Sequence, residues 1–476
     1  MSRLVVISNR VALPKQTQTG GLASAMNAAL QEMGGLWFGW SGNIAAETGK
    51  TVHEVEDGRI AYATIDMSKA DHDEYYSGFA NRTLWPLFHY RGDLVDYRRD
   101  HLEGYLRVNR IFAERVAKLL RKDDIVWVHD YHLIPLAAML RELGMENRIG
   151  FFLHTPLPAA GLLITLPRHR QLLEPLASYD LVGVHTQRDL RALEDYFLHE
   201  LGAAMRTGGR IRAANGRVFR AGVFPISIDT EEVEALAQKA VHNGAVEKLR
   251  ASLDDRSLII GVDRLDYSKG LPERFEGFAR LLRDHPEMSG KVSLLQIAPP
   301  SRSDVPEYRT LRRQLERLAG HINGQYADPD WVPIRYVNKS FSHSVLAGYY
   351  RAAKVALITP LRDGMNLVAK EYVACQDPED PGVLVLSRFA GAAQEMDAAL
   401  LVNPSDLDEV SDAVHRALTM PLKERRMRWR TMMDGLETNT ITAWRSRFLD
   451  ALKAAHPPAS ILASPKDHAT PKTVRA

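Results

Sequence analysis

Arg264 and Lys269 stand five positions apart in the segment Gly261-Val262-Asp263-Arg264-Leu265-Asp266-Tyr267-Ser268-Lys269-Gly270. An apolar run at 257–262 leads into this segment, and an amphipathic stretch at 271–282 leads out. A strand end, a turn and a helix start make a mouth whose loops hold anions. Two fixed cations there neutralise a diphosphate and stabilise the charge that develops when it leaves. Their only carboxylate neighbours within the segment are Asp263 and Asp266.

Comparable mouths recur. Asn9 and Arg10 follow the apolar run 4–8, and Gly20-Gly21 then opens a helical stretch. Asp130, between His129 and His132, follows the run at 125–128, and His154-Thr155-Pro156 follows 149–153. Pro299, Ser301 and Arg302 follow 292–297. Arg362, Asp363, Gly364, Met365, Asn366 and Leu367 follow 355–358, with Glu371 four residues beyond. Each residue has two readings. Gly20-Gly21 is a plain turn or a close approach of backbone N–H groups to phosphate. Asp130 is a helix cap or a hydroxyl acceptor. His154 is a core histidine or a site residue. Glu371 caps its helix, faces solvent or accepts ribose hydroxyls. Trp37, Phe38 and Trp40 among glycines, and Trp85 in Leu84-Trp85-Pro86, suit sugar-ring packing or a core. The pattern His129, Asp130, His132 lacks a second ligand cluster, so no metal is expected. No Gly-x-x-x-x-Gly-Lys-Ser/Thr loop and no Gly-x-Ser-x-Gly elbow occurs, which disfavours phosphate-loop kinases and serine hydrolases.

Parallel strands position residues in this way. Strands are expected at 4–8, 125–129, 149–153 and 181–184, and again at 258–262, 292–297, 334–337, 355–358 and 383–387. Several are continuous Val/Ile/Leu runs, as in strands buried on both faces. Helices are expected between them at 22–33, 106–120, 133–143, 189–201, 231–253, 272–284, 305–319, 345–353, 367–375 and 407–418. The alternation predicts an α/β fold with two doubly wound domains. They are expected at 1–228 and 229–439, with a helix at about 440–455 crossing back to the first. The Pro-, Ala- and Lys-rich tail 457–476 is expected to be disordered.

A chain of 476 residues fits two to three domains. A net charge of +2 gives no electrostatic case for nucleic acid or an anionic membrane. The single cysteine, Cys375, excludes an internal disulfide or a thiolate zinc site and is expected to pack in the core. No signal peptide or bilayer-spanning run is read.

The ordered set of motifs resembles the trehalose-6-phosphate synthase family. It runs from Leu4-Val5-Val6-Ile7-Ser8-Asn9-Arg10 through Gly34 to Gly42, Asp73-Glu74-Tyr75-Tyr76, Leu84 to Tyr90 and Val126 to Leu133. It continues through Ile149 to Pro156, Asp263 to Arg274, Gln296 to Arg302 and Thr359 to Val373, and spans roughly residues 1–455. Thr155, Leu157 and the stretch Ala159 to Arg170 depart from the family pattern. The resemblance implies a GT-B fold of two Rossmann-like domains around a cleft. It also implies a retaining, metal- and cofactor-independent transfer of glucose from UDP-glucose to glucose 6-phosphate.

Carried over by motif, Arg10, Arg302 and Tyr76 would bind the acceptor phosphate, and Trp40, Trp85 and Asp130 would shape the acceptor site. His154 would contact the donor glucose near its reacting end. Arg264 and Lys269 would hold the diphosphate. Asp363, Gly364, Met365, Asn366 and Leu367 would bind donor glucose and phosphates, Glu371 the ribose, and Gly21 would approach the diphosphate. A cytoplasmic homo-oligomer, such as a tetramer, is also expected. The rival readings are a transferase with another acceptor, such as glycerol 3-phosphate, and a sugar-phosphate sensor without turnover.

Overall fold

The computed structural model describes residues 3–13, 21–302 and 305–455; Gly20 and the tail 457–476 lie outside them. Among the described residues two sheets form. The first holds β1 (Leu4–Arg10), β2 (Gly35–Ala45), β3 (Val52–Asp57), β4 (Ile60–Ser68), β5 (Ile125–His129), β6 (Arg148–Phe152), β7 (Leu181–Val184), β8 (Ala204–Arg206), β9 (Arg210–Arg212) and β10 (Val218–Val223). The second holds β11 (Ser257–Val262), β12 (Val292–Ile297), β13 (Ile334–Val337), β14 (Val355–Ile358), β15 (Val383–Ser387) and β16 (Leu400–Val402).

Strand order explains why the site residues gather. The first sheet runs β3-β4-β2-β1-β5-β6-β7-β10-β9-β8, parallel from β4 to β10 and antiparallel at both ends. The second runs β13-β12-β11-β14-β15-β16 and is parallel throughout. In each sheet the order reverses beside the strand that starts it, between β1 and β5 and between β11 and β14. The connections on the two sides of such a point lie on opposite faces and leave a crevice at the strands' carboxyl ends.

All nine expected strands form, and the two sheets are those of a doubly wound fold. Several elements differ. The stretch 35–45, with Trp37 and Phe38, is strand β2 rather than a glycine loop, and both aromatics are buried. Gly39 belongs there because a Cβ would come within 2.2 Å of the Ser8 carbonyl of β1. The expected helix 231–253 is two helices, Thr230–Ala240 and Gly244–Ala251, because Asn243 caps the second through the Ala245 N–H. Beyond Leu422 the chain forms two helices, Leu422–Thr438 and Ile441–Ala454, with Thr440 capping the second.

That last helix returns to the first sheet. Trp444 is fully buried, packs on Trp127 and Phe152 at centroid distances of 5.1 Å, and donates from Nε1 to the Phe224 carbonyl at 3.1 Å. The outward and returning crossings run side by side, with the Ile441 N–H donating to the Ile228 carbonyl at 3.0 Å. Lys370, also buried, fastens the outward crossing by donating to the Ile226 carbonyl and to Glu395, both at 2.8 Å. Cys375 is buried as expected, and no helix among the described residues is long and apolar enough to cross a membrane.

Emptying the Trp444 site removes the anchor of the returning helix. Trp444→Ala is expected to destabilise the fold by about 3–5 kcal/mol, the usual range for a large buried aromatic. Urea unfolding followed by far-UV circular dichroism measures it, and a loss below about 1 kcal/mol would contradict the anchoring role.

Candidate active site

The loop after β11 is built on a buried ion pair. Arg274, in the helix Leu271–Asp284, is 0% exposed. Its guanidinium donates to Asp263 Oδ2 at 2.7 Å, Gln296 Oε1 at 2.8 Å and Thr359 Oγ1 at 3.1 Å. These partners come from the ends of β11, β12 and β14, so one side chain sets the relative height of three loops. Sequence reading passed over Arg274 because it lies inside an amphipathic helix.

Lys269 rises from this brace. Its Nζ meets Asp363 Oδ2 at 2.5 Å, and Asn366 Nδ2 donates to the same oxygen at 3.0 Å. Burial pushes the Asp363 carboxyl up, but Lys269 and Asn366 outweigh it and hold it below the usual range. Asn366 has left-handed backbone (φ 92°) and caps the helix Leu367–Cys375 through the Ala369 N–H at 3.0 Å. The backbone from Gly364 to Leu367 is thereby fixed as a helix start, where N–H groups lack intrahelical partners. A Cβ on Gly364 would come within 2.2 Å of the His154 carbonyl, so this loop rests directly on the first half of the chain. Met365 is buried. Glu371 stands apart from the Lys269 pair, beside a cavity of about 120 Å³ lined also by Ile228, His343, Leu346 and Tyr350. Burial raises its carboxyl.

On the facing edge, Asp130 follows β5 with positive φ (75°), and its Oδ1 accepts the His154 N–H at 3.2 Å. Burial raises its carboxyl to about 6. His154 Nε2 lies 3.1 Å from His129 Nδ1, and its ring packs on His185. The aromatics continue the wall. Arg10 lies over Trp40 at 5.8 Å, Trp40 beside Tyr76 at 5.6 Å, and Tyr76 stacks on His132 at 5.9 Å. Tyr131 Oη then accepts from Arg302 at 3.3 Å. Arg302 itself sits 3.8 Å from the centroid of Trp85, in the short helix Trp85–Phe88. Gly21 begins the helix Gly21–Met33.

Three groups thus assemble: Lys269 with Asp363, Asn366 and the Gly364 turn; Arg302 and Arg264 against Trp85; and Arg10 with Trp40 and Tyr76. Asp130 and His154 lie between the first and the others. His129 meets His154, whereas His132 stacks on Tyr76. Among the described residues the group with ligand atoms within 4.8 Å of one another is His285, Glu287 and His415. It lies at the far end of the helix whose start faces the cleft. Sequence reading missed Tyr308, which with Tyr131 holds Arg302, and His185, which packs on His154. Neither belongs to a glycine or cation motif that would mark it.

The cleft holds neutral imidazoles. Burial lowers His89 to about 4, His132 and His185 to about 3, and His129 and His154 well below the ordinary value. Depressed folded values mean that the unfolded chain takes up protons first, so stability is complete above about pH 6.5 and is lost as pH falls toward 4. Buried carboxyls with raised values oppose this, among them Asp130 at about 6, Glu371 and Asp263. The urea midpoint is expected to drop between pH 7 and pH 5; an unchanged midpoint would show that the buried imidazoles do not outweigh the raised carboxyls.

Comparison with known proteins agrees with this geometry. The model of glycosyltransferase family 20 matches residues 6–454. The trehalose-6-phosphate synthase of Sinorhizobium fredii is 52% identical over 461 residues, covering 96% of this chain and 99% of the relative. A UDP-forming α,α-trehalose-phosphate synthase from Burkholderia xenovorans, solved in complex with glucose-6-phosphate, superposes with a TM-score of 0.92 at 51% identity, covering 95% of this chain and 100% of that one. The E. coli protein bound with UDP-2-fluoro glucose gives a TM-score of 0.91 at 47% identity, covering 96% and 100%. The two facing sheets are those of a GT-B fold, and the chain belongs to glycosyltransferase family 20.

Proposed function

We propose that this chain transfers glucose from UDP-glucose to glucose 6-phosphate with retention, giving α,α-trehalose 6-phosphate and UDP. The observation that carries this reading is the placement of four cations, Arg10, Arg302, Arg264 and Lys269, around one cleft, in a chain of this family. Two anionic substrates need two sets of positive charge. Arg264 and Lys269 serve the donor diphosphate, with Gly21 approaching it as the cleft closes. Arg302, Arg10 and Tyr76 serve the acceptor phosphate. Trp40, Trp85 and Asp130 shape the acceptor sugar site. Asp363 and the backbone from Gly364 to Leu367 hold the donor sugar and phosphates beside His154, and Glu371 takes the ribose. Residues 1–228 with the helix after Thr440 form the acceptor domain, and 229–439 the donor domain.

The chemistry follows from what these residues are free to do. Asp363 is committed to Lys269 and Asn366, and Asp130 to the His154 N–H. Neither is poised to attack the anomeric carbon. The bond from that carbon to the leaving phosphate oxygen breaks as the acceptor's anomeric hydroxyl bonds to the same face. The hydroxyl proton passes to the departing phosphate oxygen. The protein positions both partners and neutralises the leaving group. The proposal includes action without resident metal or cofactor, a cytoplasmic location and a homo-oligomeric state.

Proton NMR of the protein with UDP-glucose and glucose 6-phosphate in excess EDTA tests the reaction. A new anomeric signal with small α-type coupling, with UDP released, is expected; inverted product, or dependence on added metal, would overturn the mechanism. Arg264→Ala and Lys269→Ala are each expected to lower turnover about 10²–10³-fold, the usual cost of losing one transition-state stabiliser. Near-normal rates in either would remove that residue from the site.

A further inference from the structure

Asp266 has no part in the transfer described above, yet its side chain is 0% exposed and sits where the two cation groups meet. Its Oδ1 accepts from the Ser268 N–H at 3.0 Å and from Trp85 Nε1 at 3.4 Å. Its Oδ2 accepts from Tyr308 Oη at 3.0 Å and Arg302 Nη1 at 3.3 Å, and lies 3.9 Å from Arg264 Nη2. Both guanidinium groups also lie against the Trp85 ring, Arg302 at 3.8 Å and Arg264 at 5.4 Å from its centroid. Two like charges converge on one indole, and one carboxylate is their common counter-ion. Burial works against that charge, but Arg302 and Arg264 outweigh it and hold the carboxyl down at about 2.

We propose that Asp266 is a positioning residue shared by the two substrate sites, fixing the acceptor cation Arg302 and the donor cation Arg264 in one geometry through a single carboxylate. The proposal rests on the assignment of those two arginines given above. A carboxylate presents acceptors only, matching the two cations and the Tyr308 hydroxyl. An amide in its place keeps Oδ1 for Trp85 and Ser268 but turns a donor toward donors. Arg264, whose side chain is 49% exposed, is then free to move outward from Arg302. Arg302 keeps Tyr131 and Tyr308 but loses its counter-ion.

Steady-state kinetics of Asp266→Asn, with both substrates varied, test this. KM for UDP-glucose and for glucose 6-phosphate are each expected to rise about tenfold or more, the size of one lost charge-assisted hydrogen bond. Turnover at saturation falls less, because the bound anions themselves hold the cations. A loss of folded protein alone would lower kcat with both KM values unchanged, and that result overturns the proposal. So does a rise confined to one substrate. Arg302→Ala and Arg264→Ala, measured alongside, check the underlying assignment: the first should raise KM for glucose 6-phosphate alone and the second KM for UDP-glucose alone. If they do not divide in this way, the assignment and the proposal fall together. If they divide and Asp266→Asn leaves either KM unchanged, only the proposal falls. Should Asp266→Asn not fold, Asp266→Glu keeps the charge but displaces it; it is expected to raise both KM values several-fold, and an unchanged KM for either substrate again overturns the proposal.

Discussion

The buried guanidinium of Arg274 is the interaction on which the second-sheet side of the cleft depends. Removing a charged group from water is costly unless its hydrogen bonds are made good. Arg274 meets that condition with Asp263, Gln296 and Thr359, one partner from each of three neighbouring strand ends. The three loops therefore cannot shift independently. Lys269 and Asp363 stand on two of them, so their short contact follows from a brace several ångströms below it. An apolar residue at 274 would fill the same space without specifying the heights of those loops.

The cleft also keeps its positive charge internally compensated. Lys269 is paired with Asp363, and Arg302 and Arg264 share Asp266. Cations arranged in this way are held still before an anion arrives, which lowers the ordering cost of binding and concentrates stabilisation on charge that develops later. The facing wall is of another kind. It consists mainly of aromatic rings and imidazoles, with Arg10 over Trp40 as a cation and Asp130 as a carboxylate. Charge lies chiefly on the half built on the second sheet and shape on the half built on the first, with Arg302 of the second half seated on Trp85 of the first.

Much of this was legible from the chain. Continuous Val/Ile/Leu runs marked the buried strands, and the residues after them marked the cleft, because a parallel strand delivers its next residue to the same edge each time. Arg264, Lys269, Asp363 and Asn366 were found in this way. Two kinds of feature were not legible. Strand order is a property of pairing between distant segments, so the reversal beside β1 and beside β11 left no local mark. Residues that act on other residues, such as Arg274, Tyr308 and His185, carry no motif of their own and become visible only through their distances. The stretch 35–45 left two readings open, sugar packing or core, and the structure places Trp37 and Phe38 in the core. Its glycines look like punctuation, but Gly39 serves close packing of β2 on β1, and the aromatics between them belong to the core.

The side-by-side crossings near Ile228 and Ile441 have a mechanical consequence. Two separated linkers would let the halves twist, slide and bend against each other. Two linkers hydrogen-bonded to each other restrict the halves to the motion of a door hinge, with Lys370 as its pin in the second half. Residues beside the pivot, including Glu371 in its cavity, barely change their surroundings as the door turns. Residues on the far rim travel the longest arc. A ligand seated beside such a hinge would keep its contacts through a turn that carries the far rim away.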